Sequence, residues 1–296
     1  TALNTLSLHD ALPIYPNVGK STLMNQLVGE KLSIATFKAQ TTRHRIMGIV
    51  NTDDAQIVFS DTPGVLKPNY KMQEMMLQFS ESALADADIL LYVTDVVENP
   101  EKNMDFLDKV SKMTIPVILL INKIDESDQK KLGNLVETWH KLLPNAEILP
   151  LSAKNKFGID ILMKRIFELL PESPAFFDKD QLTDKPAKFF VSEIIREKIL
   201  RYYDKEIPYS VEVVIERFKE DERQIHINAI IYVERSSQKG IIIGHQGMAL
   251  KKVSTEARKS LERFFDKKIF LETYVKVDKD WRNSQKELNN FGYNPE

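Results

Sequence analysis

Four short apolar runs alternate with helical patterns: Ile57-Val58-Phe59, Ile89-Leu90-Leu91-Tyr92-Val93, Val117-Ile118-Leu119-Leu120-Ile121 and Ile148-Leu149-Pro150-Leu151. Their length and lack of polar alternation suit strands buried on both faces. The intervening segments 72–87, 101–112, 129–143 and 158–170 carry apolar residues three and four positions apart, as amphipathic helices do. Strand and helix in regular alternation predict a largely parallel sheet covered by helices, an α/β fold.

The alternation stops after Leu170, where Pro171, Pro174 and Pro186 punctuate a polar, acidic stretch that reads as a linker over 171–186. Beyond it the pattern predicts a helix at 188–203, strands at Tyr209–Phe218 and Gln224–Glu234, helices at 236–243 and 247–265, and a last strand at Ile269–Val277. The order is α-β-β-α-α-β, an α+β layout without internal repeat. A chain of 296 residues exceeds one ordinary domain of roughly 100 to 200 residues, so two domains are expected, 16–170 and 187–296, with residues 1–15 set apart.

Charge separates the two halves. Residues 1–185 hold 20 Lys and Arg against 25 Asp and Glu, whereas residues 186–296 hold 21 against 18, so the second half is the better match for a polyanion. Cysteine is absent, which excludes disulfides and thiolate metal sites and fits a cytoplasmic setting. No apolar run reaches the roughly 18 to 20 residues that span a bilayer, and the chain does not open with a signal-peptide layout.

Four motifs sit at the predicted strand and helix ends. Asn17-Val18-Gly19-Lys20-Ser21-Thr22 precedes a helical pattern at Leu23–Val28. Backbone N–H groups at such a helix start face an anion, Lys20 reaches β and γ phosphate oxygens, and Ser21 offers a hydroxyl to Mg²⁺. Asp61-Thr62-Pro63-Gly64 ends an apolar run: Asp61 can hold Mg²⁺ through water, and the Gly64 N–H can meet a γ-phosphate. Asn122-Lys123-Ile124-Asp125 ends another; the Asp125 carboxylate accepts from guanine N1 and N2, a pairing adenine cannot make. Ser152-Ala153-Lys154 ends a fourth and offers a backbone donor to guanine O6. Singly, each motif is equally an ordinary turn or loop; the order and spacing of all four carry the signal.

On these residues the chain resembles the Era family of translation-factor-class GTPases, from Pro16 onward. The resemblance implies a P-loop GTPase domain followed by a type II KH domain, with GTP or GDP, Mg²⁺ and a K⁺ site at Asn17. It assigns Lys20, Thr42 and Gly64 to catalysis and Ser21, Thr42 and Asp61 to Mg²⁺. Thr42 lies in Lys38-Ala39-Gln40-Thr41-Thr42-Arg43-His44-Arg45, which resembles the family's effector segment; without the resemblance it reads as a surface loop. Arg43 and Arg45 are accordingly read as surface or effector residues and His44 as a contact residue. Val65 stands where some GTPases have a water-positioning Gln, which implies slow turnover.

In the second half, Gly244-His245-Gln246-Gly247 between two predicted helices resembles the KH loop that clamps single-stranded nucleic acid. Lys239, Lys251 and Lys252 flank it, with Arg235, Arg258 and Lys259 nearby. The implied partner is the 3′ end of small-subunit ribosomal RNA, in assembly of the small (30S) subunit, by a monomer that visits the inner face of the membrane peripherally.

The resemblance fails before Pro16. Ile14 stands where the family has its first loop glycine, and Pro13 would interrupt the expected first strand. The segment is read as foreign or misread, and the alternative function is an RNA-binding assembly protein with an impaired nucleotide site. Met72, Met75, Met76 and Phe79 at helical spacing, Trp139 and Trp281 are read as core residues. Residues 281–293 either cap the second domain or touch RNA.

Overall fold

The computed structural model describes residues 4–11, 17–36, 38, 40–64, 68–100 and 104–294. They divide into two compact units, one running to Asp184 and the other from Lys185 to Asn294, with Tyr70–Met72 grouped with the second.

The first unit is built on β1 (Asn4–Ala11), α1 (Lys20–Val28), β2 (Ile46–Asn51), β3 (Ala55–Asp61), α2 (Lys71–Ala85), β4 (Ile89–Asp95), α3 (Met104–Ser111), β5 (Val117–Asn122), α4 (Gln129–Leu142), β6 (Glu147–Pro150) and α5 (Ile159–Leu169). The sheet order is β2-β3-β1-β4-β5-β6, with β2 antiparallel and the other pairs parallel. Every residue of β3 and β4 is buried, which explains their uninterrupted apolar character. One face of the sheet packs Ile57, Phe59, Leu91, Val93 and Leu120 against Leu23, Leu27, Leu162 and Ile166. The other packs Leu90, Tyr92, Leu119 and Ile121 against Phe106, Val110 and Trp139. Met72, Met75, Met76 and Phe79 are buried too.

Two strands depart from expectation. Sequence patterning missed β2, an edge strand whose apolar run is broken by Gly48 and which folds back on β3 through Thr52-Asp53-Asp54, where Thr52 Oγ1 accepts from the Ala55 N–H at 3.0 Å. The first strand, expected to be broken by Pro13, is present at Asn4–Ala11, paired with both β3 and β4. Its ladder uses backbone groups only, and it ends before Pro13. Residues 12–16, including Ile14, lie outside the described residues.

The segment read as a linker is strapped along the free edge of β2. Thr183 bridges Gly48, the Ile49 N–H donates to the Leu182 carbonyl at 2.8 Å, and the Met47 N–H donates to Asp184 Oδ1 at 2.8 Å. Further back, Gln56 Oε1 accepts from the Phe176 and Phe177 N–H groups, both at 2.9 Å. An edge strand left open would be a template for foreign pairing, and the strap covers it.

The second unit comprises α6 (Ala187–Tyr202), β7 (Val211–Glu220), β8 (Gln224–Val233), α7 (Ser236–Ile243), α8 (Met248–Phe265), β9 (Lys268–Val277) and α9 (Gln285–Asn290). Its sheet order is β7-β8-β9, antiparallel then parallel. Alternate strand residues, among them Val213, Ile225, Ile227, Ile231 and Val275, meet Ile195, Ile199, Ile242, Val253, Ala257 and Leu261 of the helices. Residues 281–293, left open between capping and RNA contact, pack onto this unit: Trp281, Leu288 and Tyr293 are fully buried, and Tyr293 Oη donates to Glu212 Oε2 at 2.7 Å.

Candidate functional site

The parallel strands of the first unit all present their carboxyl ends on one side, and the loops that leave them enclose a cavity of about 350 Å³. Asn17, Gly19, Lys20, Ser21, Thr22, Thr42, Gly64, Asn122, Lys123, Asp125, Ala153 and Lys154 all line it, so residues up to 137 positions apart in the chain meet in one place. Val18, Asp61 and Ser152 stand just behind as buried supports.

Local geometry explains the residue types. Gly19 adopts φ 96°, in the left-handed region, as it opens α1. A Cβ there would also sit 2.2 Å from Asn122 Nδ2. Asn122 Nδ2 donates to the Val18 carbonyl at 2.7 Å, and Asn122 Oδ1 accepts from the Ala153 N–H at 3.0 Å. Asn122 thus braces the first loop against the last while lining the cavity. It also engages the Ala153 amide, the group expected to donate to guanine O6.

Asp125 is held from behind: Ser152 Oγ donates to its Oδ1 at 2.6 Å, and the Asn155 N–H donates to Ser152 Oγ at 3.2 Å. Lys123 adopts φ 60° and places Nζ 2.7 Å from Asp95 Oδ2. Asp95 Oδ1 in turn accepts from the Val97 and Glu98 N–H groups, both at 2.9 Å. The Glu98 carboxyl is buried and receives a 2.6 Å hydrogen bond from Thr94 Oγ1. Burial pushes its pKa up to about 7, against the lowering effect of that hydrogen bond and, more weakly, of Lys20. Sequence reasoning missed Asp95 and Glu98; their position just past the apolar run Ile89–Val93 was the available signal.

At the opposite end Ser21, Thr42 and Asp61 form a chain. Ser21 Oγ and Thr42 Oγ1 are 3.1 Å apart, and Thr42 Oγ1 donates to Asp61 Oδ2 at 3.1 Å. Asp61 is fully buried and its Oδ1 has no protein partner among the described residues. A buried carboxylate oxygen left over beside two hydroxyls fits a hard cation such as Mg²⁺, whose remaining ligands would be water and phosphate oxygens.

The loop carrying Thr42 is not simply a surface loop. Arg43 is only 1% exposed, His44 packs on the Phe79 ring at 5.8 Å, and Arg45 binds Ser60 Oγ and Asp86 Oδ2, each at 2.9 Å. Arg43 is therefore an anchor, contrary to the surface reading, because its guanidinium folds inward instead of toward solvent. Asn25 fixes the start of the same loop by accepting from the Leu32 and Ser33 N–H groups at 2.9 Å each. Val65 lies outside the described residues.

In the second unit Gly244 follows α7 with φ 69°, Gln246 has φ 50° and Gly247 has φ 75°. A Cβ on Gly244 would lie 2.6 Å from that of Ala249, whereas one on Gly247 would meet open space. Gly244 is required by packing as well as by conformation; Gly247 answers to conformation alone. His245 and Gln246 stand exposed at the tip, and Ile241 and Met248 expose apolar surface on either side. Lys251 and Lys252 are exposed in the first turn and a half of α8 and Lys239 is half-buried on α7. Lys252 Nζ lies 4.5 Å from the centre of the Tyr202 ring.

This combination defines a GTPase domain joined to a KH domain. Residues 15–123 match the family model described as 50S ribosome-binding GTPase, and residues 206–282 match that of the KH domain. GTPase Era of Clostridium kluyveri is 44% identical over 280 residues, covering 94% of this chain and 96% of that protein. GTPase Era of Leuconostoc citreum is 45% identical over 285 residues, covering 95% and 94%. The crystal structure of Era in complex with MgGDPNP and nucleotides 1506–1542 of 16S ribosomal RNA aligns with a TM-score of 0.92 at 35% identity over 99% of each chain. An Era variant from Aquifex aeolicus bound to GDP and AlF4⁻ aligns equally well, with the same TM-score, identity and coverage. The chain belongs to the Era family of GTPases.

Proposed function

We propose that this chain binds GTP in its first unit, hydrolyses it to GDP and phosphate, and binds the 3′ end of 16S ribosomal RNA through its second unit in assembly of the small ribosomal subunit. The observation that carries the enzymatic half is one cavity with Ser21, Thr42 and Asp61 at one end and the Ser152-braced Asp125 at the other. The first set suits a magnesium-bound triphosphate and the second a guanine edge. The RNA half rests on the Gly244–Gly247 loop and on the complex that the related Era forms with 16S ribosomal RNA.

In the reaction, water attacks the γ-phosphorus, the bond to the β–γ bridging oxygen breaks, and GDP leaves. Lys20 sets its ammonium against the β and γ oxygens, and the Gly64 N–H meets the γ-phosphate. The Ser21 and Thr42 hydroxyls, with Asp61 acting through water, would hold Mg²⁺, which would supply charge neutralisation there. Asp125 accepts the guanine N1 and N2 hydrogens, and Lys154, on the same loop as the engaged Ala153 amide, brings a further donor to the base. No side chain acts as a nucleophile, so positioning and electrostatics carry the catalysis. The sequence has Val65 where some GTPases carry a water-positioning Gln, and its side chain has no hydrogen-bonding group, so slow turnover is expected.

Asn17, exposed at the mouth of the cavity with φ 79°, is the residue at which we place a potassium ion. Turnover in potassium buffer is expected to exceed that in matched sodium buffer; equal rates would remove that site. The protein is read as a cytoplasmic monomer that meets the inner membrane face peripherally. No helix among the described residues is long and apolar enough to cross a membrane. Sedimentation velocity and flotation with anionic vesicles check both points.

One observation favours a second reading, an RNA-binding assembly protein with an impaired pocket: Ile14 stands at the first glycine position of the phosphate loop. GTP binding and turnover measured on this chain and on its Ile14→Gly variant separate the two. Turnover by the unmodified chain retires the second reading. Turnover confined to the variant establishes it.

A further inference from the structure

We propose that Tyr202 and Tyr203, the last residue of α6 and the one after it, are positioning residues for the nucleic-acid clamp, holding the two helices that flank Gly244–Gly247. The inference rests on the assignment of that loop as an RNA clamp. Neither tyrosine belongs to the loop, and both are more than forty residues from it in sequence.

The two side chains part because the backbone changes between them. Tyr202 is the last residue of α6, while Tyr203 has φ −117° and ψ 152°, an extended conformation. Tyr203 turns into the core among Ile199, Ile207, Val211 and Ile242. There its Oη donates to the Ile242 carbonyl at 2.7 Å. Ile242 stands in the last turn of α7, where carbonyls lack intrahelical donors, and only two residues before Gly244. The Gly244 N–H itself closes that turn on the Gly240 carbonyl at 2.9 Å. The hydroxyl therefore fixes the end of α7 from which the clamp departs. Burial raises the Tyr203 pKa to about 12, so the group stays protonated and a donor through the physiological range.

Tyr202 remains 40% exposed and lies under the Lys252 ammonium at 4.5 Å. A cation held over an aromatic face loses part of the freedom of its four-carbon stem while keeping its charge. Lys252 stands in the first turn and a half of α8, the helix that the clamp enters. One helix end thus grips the helix before the loop through a hydrogen bond and the helix after it through a ring. Close packing of Gly244 against Ala249 at 2.6 Å for an added Cβ leaves no slack between those helices, so a small shift of either one is felt at the loop.

The test is the affinity of the full chain for a fluorescent RNA copying nucleotides 1506–1542 of 16S ribosomal RNA, with Tyr203→Phe, Tyr202→Leu and Gly244→Asp compared at one salt concentration. Amide hydrogen exchange at Gly244 and His245 is followed in the free variants, and GTP turnover serves as a fold control. Tyr203→Phe keeps the ring and removes only the donor. It is expected to weaken RNA binding about fivefold to tenfold, to speed exchange at the loop amides, and to leave GTP turnover unchanged. Tyr202→Leu is expected to weaken binding about twofold to fivefold. Wild-type affinity and wild-type loop exchange in both tyrosine variants, with binding abolished in Gly244→Asp, would reduce the tyrosines to packing residues and overturn the inference. Wild-type affinity in Gly244→Asp would instead overturn the clamp assignment on which the inference stands.

Discussion

The two sites of this molecule are built in opposite ways. The nucleotide cavity gathers loops from the ends of several strands, and side chains tie those loops together, with Asn122 linking Val18 to Ala153 and Thr42 linking Ser21 to Asp61. The proposed RNA clamp is one contiguous four-residue turn whose shape comes from backbone conformation at Gly244, Gln246 and Gly247. A site assembled from distant loops is as good as its braces, so it should fail gradually as braces are removed. A site made of backbone should fail at once when a side chain intrudes.

That contrast can be broken most sharply at the clamp. Gly244→Asp adds a Cβ where Ala249 leaves no room and sets a carboxylate against phosphate. RNA binding should fall by about a hundredfold or more while GTP affinity stays at the wild-type value, as read by fluorescence anisotropy with each ligand. A parallel loss of GTP affinity would show that the two sites are not independently built.

At the nucleotide site the matching variant is Asn122→Ala. It strands the Val18 carbonyl and the Ala153 N–H, each a buried group whose lost partner costs about 1 to 3 kcal/mol. GTP affinity should drop by roughly tenfold to a hundredfold by calorimetric titration, with RNA affinity unchanged. Wild-type GTP affinity would mean that Asn122 is not the brace.

A smaller effect is expected from the buried carboxyl beside the cavity. Glu98 has its pKa raised from 4.5 to about 7 by burial, so the folded state favours the neutral form. The favourable difference is complete below about pH 4.5 and is lost as pH rises through about 7, where the folded protein must ionise a buried acid. The melting temperature of the first unit should therefore drift down across that window, and Glu98→Gln should flatten the drift. An identical slope in the variant would exclude Glu98 as its source.

The smallest change is expected at the strap. Asp184→Ala removes one acceptor from the Met47 N–H on an edge strand. It should cost about 1 kcal/mol in urea unfolding and leave RNA affinity untouched. A cost several times larger would make the strap an integral seventh strand rather than a cover.

How much of this was legible in the sequence follows from the same contrast. Strands β3 to β5 announced themselves because burial on both faces leaves an unbroken apolar run, β6 showed the same kind of run although its residues are only partly buried, and the helices followed from their periodicity. The β2 edge strand did not, since Gly48 and its half-exposed neighbours break the pattern. Lys20 and Ser21 at a helix start, and Asp61 and Asp125 at or just past strand ends, were singled out because phosphate, cation and guanine call for those groups there, and the fold gathers them around one cavity. Glu98 and the Asp95–Lys123 pair depend on β4 lying between β1 and β5, which spacing alone does not reveal. Arg43 was misread because a basic loop ordinarily faces water, and its burial arises from tertiary packing. In the second unit the order of elements and the two glycines were visible, but the grip of Tyr203 on Ile242 required the fold.

The central claim is that the cavity of the first unit reads guanine and turns over its triphosphate. The most direct measurement is steady-state phosphate release by the full chain with Mg²⁺ and either GTP or ATP, with Asp125→Ala alongside. The account predicts slow release from GTP, none above background from ATP, and loss of GTP turnover at low substrate concentration in the variant. Equal release from GTP and ATP, or GTP turnover unaffected by the loss of the Asp125 carboxylate, would contradict it.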